Sequence, residues 1–272
     1  MFTEFLLALN EMNMTEPPIW GWWHLMWIGI AVGLSVFFYV AKKKGLKIPE
    51  NLVFGIYGFL TLFLEILKQL MWAVSKVDGA VYWSYSWYSA PFQFCTTVMY
   101  VCIALCFVKN KKARQYLYSF LMYFGIISMS LVLVTPGDIF VRNIWINIHT
   151  SVMHFGGFAV CMFAIINRKA AYKPKNVLKG AAVFLGFVLV ALLLDVAVVM
   201  SGINRGNTFN MFYISPYYPC TLPVFADIYK AVPYPVFLLI YLAAFTAGAF
   251  VVLGIIWAFV SVARLFKNDK NN

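Results

Sequence analysis

The chain has 272 residues, 63% hydrophobic and only 11% charged, with a formal net charge of +11. A soluble domain carries about 45–50% apolar and about 25% charged residues, so this composition excludes a water-soluble enzyme. A mean hydropathy of +0.80, with 26 Phe, 16 Tyr and 9 Trp, excludes a disordered chain.

The class that remains is an all-α polytopic membrane protein. Residues 1–19 read as an extracytoplasmic N-terminal segment. Residues 1–16 hold Glu4, Glu11 and Glu16 without a basic stretch, so no cleavable signal peptide is expected. Phe2, Phe5, Leu6 and Leu7 suit a short interfacial helix. A spanning helix needs roughly 20 apolar residues, and seven runs qualify: about 20–41, 53–75, 89–108, 115–134, 143–166, 177–200 and 232–264. They make one membrane domain, 20–264, followed by a cytoplasmic tail, 265–272. Outer loop 201–231, with Pro216, Pro219, Pro223 and seven aromatics, is expected to pack down as a cap or re-entrant segment.

Basic residues set the orientation. Lys42, Lys43, Lys44 and Lys47 follow span 1. Lys109, Lys111, Lys112 and Arg114 follow span 3. Arg168, Lys169, Lys173, Lys175 and Lys179 surround the junction of spans 5 and 6, and Arg264, Lys267 and Lys270 end the chain. Sixteen of the 21 Lys and Arg therefore fall on one side. This predicts an N-terminus outside and a C-terminus in the cytoplasm. The excess is an orientation signal and an anionic-lipid contact rather than a nucleic-acid surface. Cys95, Cys102, Cys106 and Cys161 lie inside spans, so no disulfide framework is expected. The Cys-x3-Cys at 102 and 106 reads as packing, because no further ligand lies at that depth. No metal or other cofactor is implied.

Ionisable groups inside a bilayer are costly and mark function. Here they are His24, Glu65, Lys68, Cys95, His149, His154 and Asp195. At 1.5 Å per residue, Cys95 and His149 each lie roughly 9 Å below the outer end of their spans, and His154 lies roughly 7.5 Å deeper. All seven fall in the outer half or near the midplane, so a single outward-opening cavity is the simplest expectation. Each also has a structural alternative. Glu65 and Lys68, three apart on one helix face, can simply pair. His24 sits among Trp20, Trp22, Trp23 and Trp27, an interfacial belt. Asp195 can accept hydrogen bonds from the 201–231 loop.

A buried thiol is inert until a base takes its proton. Histidine is the usual base. Cys95 with a histidine of span 5 is therefore a candidate pair for acyl transfer through a thioester. His149 and His154 are five apart, roughly 140° around a helix, so only one is expected to touch Cys95.

Several segments resemble one family. Ala90-Pro91-Phe92-Gln93-Phe94-Cys95 is similar to the Leu-Pro-Leu-Gln-Leu-Cys signature of the bacterial YwaF-like membrane proteins, relatives of the eukaryotic transmembrane-protein-164 acyltransferases. His149 and His154, followed by Gly156, resemble His-x4-His-Gly. Thr135-Pro136, His24 and Glu65 fall at matching places. Asn210-Met211-Phe212 and Pro233-Tyr234-Pro235 resemble Asn-Tyr-Met-Phe and Pro-Trp-Pro. The match runs over roughly 20–240. Phe155 before Gly156, a longer outer loop and Val224–Ile228 depart from the pattern.

The resemblance implies seven helices and phospholipid or glycolipid acyl transfer in a bacterial plasma membrane, with membrane lipids as donor and acceptor. It implies Cys95 as nucleophile and His154, ahead of His149, as base, although the depth estimate slightly favours His149. Gln93 and Asn210 are candidate oxyanion donors, alongside their alternative as helix-capping or loop-bonding amides. Glu65 or Asp195 is a candidate to orient the histidine, and Lys68 or Arg205 to hold a lipid phosphate. The competing reading is a transporter or receptor that uses the same polar groups without chemistry. It requires Glu65 and Asp195 but not Cys95.

Overall fold

The computed structural model describes residues 1–136 and 139–268. Helix α1 (Phe2–Glu11) buries Leu6 and Leu9 and leaves Phe2 and Phe5 exposed. Helices α2 (Trp22–Lys43) and α3 (Glu50–Ala73) follow. A hairpin, β1 (Val74–Val77) and β2 (Ala80–Trp83), then departs from the all-α expectation. Its Asp78-Gly79 turn has φ of 50° and 82°, the conformation that favours Asp-Gly between paired strands.

Helix α4 (Thr96–Phe107) has 12 residues, well short of the expected 89–108 run. Pro91 has no N–H and biases the preceding residue away from helix. Residues 90–95 accordingly form turns, with the Phe92 N–H bonded to the Ala90 carbonyl. Helices α5 (Lys111–Phe120) and α6 (Ile126–Val134) are joined by a π-helical turn at Leu121–Gly125. Helices α7 (Ile144–Ser151) and α8 (Gly157–Ile166) are joined by another at Val152–Gly156. The remaining helices are α9 (Pro174–Ser201), α10 (Phe225–Ala231) and α11 (Tyr234–Asn268). Residues 265–268 of the expected tail thus continue α11, and 269–272 lie outside the described residues.

Six helices among the described residues are long and apolar enough to cross a membrane: α2, α3, α5–α6, α7–α8, α9 and α11. The bundle has two chemically distinct ends. At one, Lys42 donates to the Ile166 carbonyl, and Glu50 pairs with both Arg114 and Lys169. At the other, Asn143 Nδ2 donates to the Leu9 and Asn10 carbonyls, and Asn10 Nδ2 donates to the Met71 carbonyl at 2.7 Å. The basic loops after α2, α4 and α8 therefore share one end, and α1 packs on the other.

Candidate functional site

The centre of the polar system is Glu65 on α3, 2% exposed. Its Oε1 accepts from Lys68 Nζ and from Gln69 Nε2, each at 2.7 Å. Its Oε2 meets His149 Nε2, also at 2.7 Å. Residues 65, 68 and 69 share one face of the helix, so one carboxylate gathers both neighbours and reaches across to α7. Gln69 Nε2 also donates to the Ser89 carbonyl at 2.7 Å, and Lys68 Nζ approaches the same oxygen at 3.4 Å. The Lys68 ammonium lies 5.4 Å from the Trp72 ring centroid. Each charge in this buried group is thus matched. The ring N–H that faces Glu65 is Nε2, which leaves Nδ1 of a neutral His149 as a lone-pair acceptor; Nδ1 is buried without a hydrogen-bond partner.

His154 sits inside the π-helical turn of span 5. Its Nδ1–H donates to the Thr150 carbonyl at 2.9 Å, so Nε2 of the neutral ring carries the lone pair. Tyr57 Oη donates to the Met153 carbonyl at 2.9 Å. Tyr57 can approach because Gly157 lacks a side chain. A Cβ on Gly157 would lie 2.7 Å from Tyr57 Oη and 2.6 Å from Met129 Sδ. Single π-helical turns are frequent at functional sites, and here the turn places the histidine.

Cys95 immediately precedes α4 and stays partly exposed, whereas Cys102 and Cys161 are fully buried. It lies within electrostatic reach of Lys68 and Glu65.

The expected single layer divides into three groups. The first holds Glu65, Lys68 and His149, with Cys95 and His154 within electrostatic reach of it. Among the described residues no hydrogen bond joins Cys95 to His149 or His154, so the expected Cys–His contact is not formed. The second holds Gln93, Asp195 and Asn210, which together fix the outer loop. Asp195 Oδ1 accepts from the Met211 N–H at 2.7 Å. Gln93 accepts from the Phe212 N–H at 2.8 Å and donates to the Asn210 carbonyl at 3.0 Å. Asn210 accepts from the Ser215 N–H at 2.9 Å and donates to the Pro219 carbonyl at 3.1 Å. Met211, Phe212, Ile214 and Ser215 are consequently buried, and the Phe212 ring lies tilted against Phe94 with centroids 5.9 Å apart. Phe212 and Tyr213 hold positive φ of 55° and 60°, a strained turn that these side-chain hydrogen bonds retain. Gln93 and Asn210 therefore shape the loop beside Cys95. Asp195 Oδ2 is buried and without a hydrogen-bond partner.

The third group is His24 alone. The Trp20 N–H donates to its Nδ1 at 3.1 Å, and its Nε2–H donates to the Leu133 carbonyl at 3.0 Å. Both nitrogens are engaged, and Phe140 and Phe155 flank the ring. His24 ties the start of α2 to the end of α6. Arg205 lines a separate surface cavity of about 590 Å³ with Trp83, Tyr85 and Trp87. Gln69 and Tyr57 were not among the sequence candidates. Gln69 carries a signal, its i,i+4 spacing from Glu65; Tyr57 carries none.

The family model described as the TMEM164 family matches residues 19–260, a stretch that contains every residue of the three groups. The chain belongs to the TMEM164 family. It is a membrane protein, in keeping with its six long apolar helices. No curated protein and no solved structure matches it.

Proposed function

We propose that this member of the TMEM164 family is an intramembrane lipid acyltransferase that works through a Cys95 thioester. The observation that carries the reading is the placement of Cys95. It is partly exposed just before α4, within electrostatic reach of the buried Glu65–Lys68–His149 network, with His154 in the π-helical turn of span 5. In the first step the Cys95 proton passes to His154 Nε2 and the thiolate attacks the ester carbonyl of a phospholipid or glycolipid. The C–O bond breaks, and the departing alkoxide takes the proton from the imidazolium. In the second step an acceptor hydroxyl gives its proton to His154 and attacks the thioester. Cys95 leaves as thiolate and recovers that proton. The Cys95 backbone N–H is the candidate donor for the oxyanion, since those of Thr96, Thr97 and Val98 already bond to the Gln93, Phe94 and Cys95 carbonyls. The unpartnered His149 Nδ1 is a polar atom that a bound acceptor hydroxyl would satisfy.

Glu65 supports a second assignment of the base. It holds His149 Nε2 at 2.7 Å, the relation a carboxylate has to the histidine of a catalytic triad.

Seven crossings with the N-terminus outside are part of the proposal. Residues 89–107 support the seventh, although α4 itself is short. Ser89 lies opposite Gln69, Gly58 faces Ile103, and Cys106 Sγ lies 3.9 Å from the Asn51 carbonyl. The segment thus runs alongside α3 from Gln69 to Asn51, roughly 27 Å, close to the thickness of a bilayer core of about 30 Å. A bacterial plasma membrane is the proposed location.

The test is acyl exchange between a labelled phospholipid and a lysolipid acceptor, with purified protein in nanodiscs. Cys95→Ser is expected to remove activity by about three orders of magnitude or more. His154→Ala should cost about a hundredfold or more while His149→Ala costs less. The reverse order makes His149 the base. Unchanged exchange in Cys95→Ser overturns the reading in favour of a transporter or receptor.

A further inference from the structure

The basic end of the bundle holds cations that its carboxylate does not neutralise. Glu50 pairs with Arg114 and Lys169. Among the described residues no carboxylate forms an ion pair with Lys42, Lys43 or Arg168. Lys42 is pinned on the Ile166 carbonyl and close enough to Arg168 for the two charges to interact. The Arg168 guanidinium is itself fixed, 5.3 Å from the Tyr172 ring centroid, on a residue with φ of 51°.

These cations stand at the mouth of a membrane-facing groove of about 1300 Å³ between α6, α8 and α11. It is walled by Ile127, Leu131, Ile165, Val251, Ile255 and Phe259. The volume exceeds the roughly 300–1,000 Å³ of a drug-sized pocket. Along α11 the lining extends from Gly248 to Ala263, roughly 22 Å, which is longer than the roughly 15 Å depth of one leaflet's hydrocarbon. Leu131, Val251 and Phe259 are open to the bilayer, so a chain can enter sideways. The groove holds neither Cys95 nor any member of the Glu65 network.

We infer that this groove binds an anionic phospholipid of the leaflet at the basic end, with its phosphate held by Lys43 and Arg168 and one acyl chain laid between α6 and α11. The charge match selects the occupant. An apolar groove alone would accept any lipid, whereas uncompensated cations at its mouth select a negative headgroup. The site is separate from the polar cluster, and its occupancy does not depend on acyl transfer.

The experiment is native mass spectrometry of detergent-purified protein incubated with equimolar phosphatidylglycerol and phosphatidylcholine. Wild type is expected to retain one phosphatidylglycerol in preference. The double substitution Lys43→Gln, Arg168→Gln should weaken that preference roughly thirtyfold, the effect of two charges at a membrane surface. Val251→Trp, at an exposed position, should block retention while the protein stays monodisperse. Equal retention of the two lipids overturns the inference, as does a preference that survives the double substitution. A dimer that Val251→Trp dissociates also overturns it, because the groove would then be filled by a second copy.

Discussion

Removing the Glu65 carboxylate tests the electrostatic core of the site. Glu65 is 2% exposed and holds Lys68, Gln69 and His149, each at 2.7 Å. In Glu65→Leu the Lys68 ammonium stays buried without its counter-charge, and the His149 Nε2–H loses its acceptor. Breaking a buried pair from one side costs about 3–5 kcal/mol. At about 2–4 °C per kcal/mol for a chain of this size, the melting temperature should fall by roughly 6–20 °C. Lys68→Leu alone should cost less, because Glu65 keeps Gln69 and His149. The double variant removes both charges together and should recover at least about 1 kcal/mol relative to the sum of the single changes. The assay is fluorescence-monitored unfolding of the four proteins in one detergent. Strict additivity, or a loss below about 1 kcal/mol in Glu65→Leu, would refute the claim that the network is a coupled charged unit.

Gly157→Ala forces a methyl group against Tyr57 Oη and Met129 Sδ; it should cost about 1–3 kcal/mol by overpacking, read by the same unfolding assay. Gly254→Ala, with nothing within 4 Å, is the control. Gln93→Leu leaves the Phe212 N–H and the Asn210 carbonyl without their partner, costing about 1–3 kcal/mol for each group left unsatisfied. Limited proteolysis should then cut within 208–216, where wild type resists. Brief alkylation followed by peptide mapping should modify Cys95 and Cys106 ahead of Cys102, Cys161 and Cys220, which are 0–3% exposed.

The apolar runs and the family signatures were legible because hydropathy and short motifs are local. The pairing of Glu65 with Lys68 was legible for the same reason, since i,i+3 spacing fixes a shared face. The start of α4 was not. Pro91 sits within an apolar run, and hydropathy does not register that 90–95 turn back on themselves before Thr96. The two π-helical turns also left no periodic mark, although Gly125 and the Gly156-Gly157 pair sit where they end. Depth placed His24, Glu65 and Asp195 in one layer, but depth carries no azimuth. Which neighbour each residue faces depends on inter-helix register, as when His24 reaches Leu133 and Asp195 reaches Met211. The Asp-Gly turn of the hairpin was readable at 78–79 but lay beside a stronger helical signal.

The central claim is that Cys95 carries an acyl group. Intact-protein mass spectrometry after incubation with mixed native lipids tests it most directly, with wild type and Cys95→Ala run side by side. The account predicts a fatty-acyl mass increment on wild type alone, removed by hydroxylamine as a thioester is. No adduct on wild type together with unchanged lipid composition, or an equal adduct on Cys95→Ala, would contradict it.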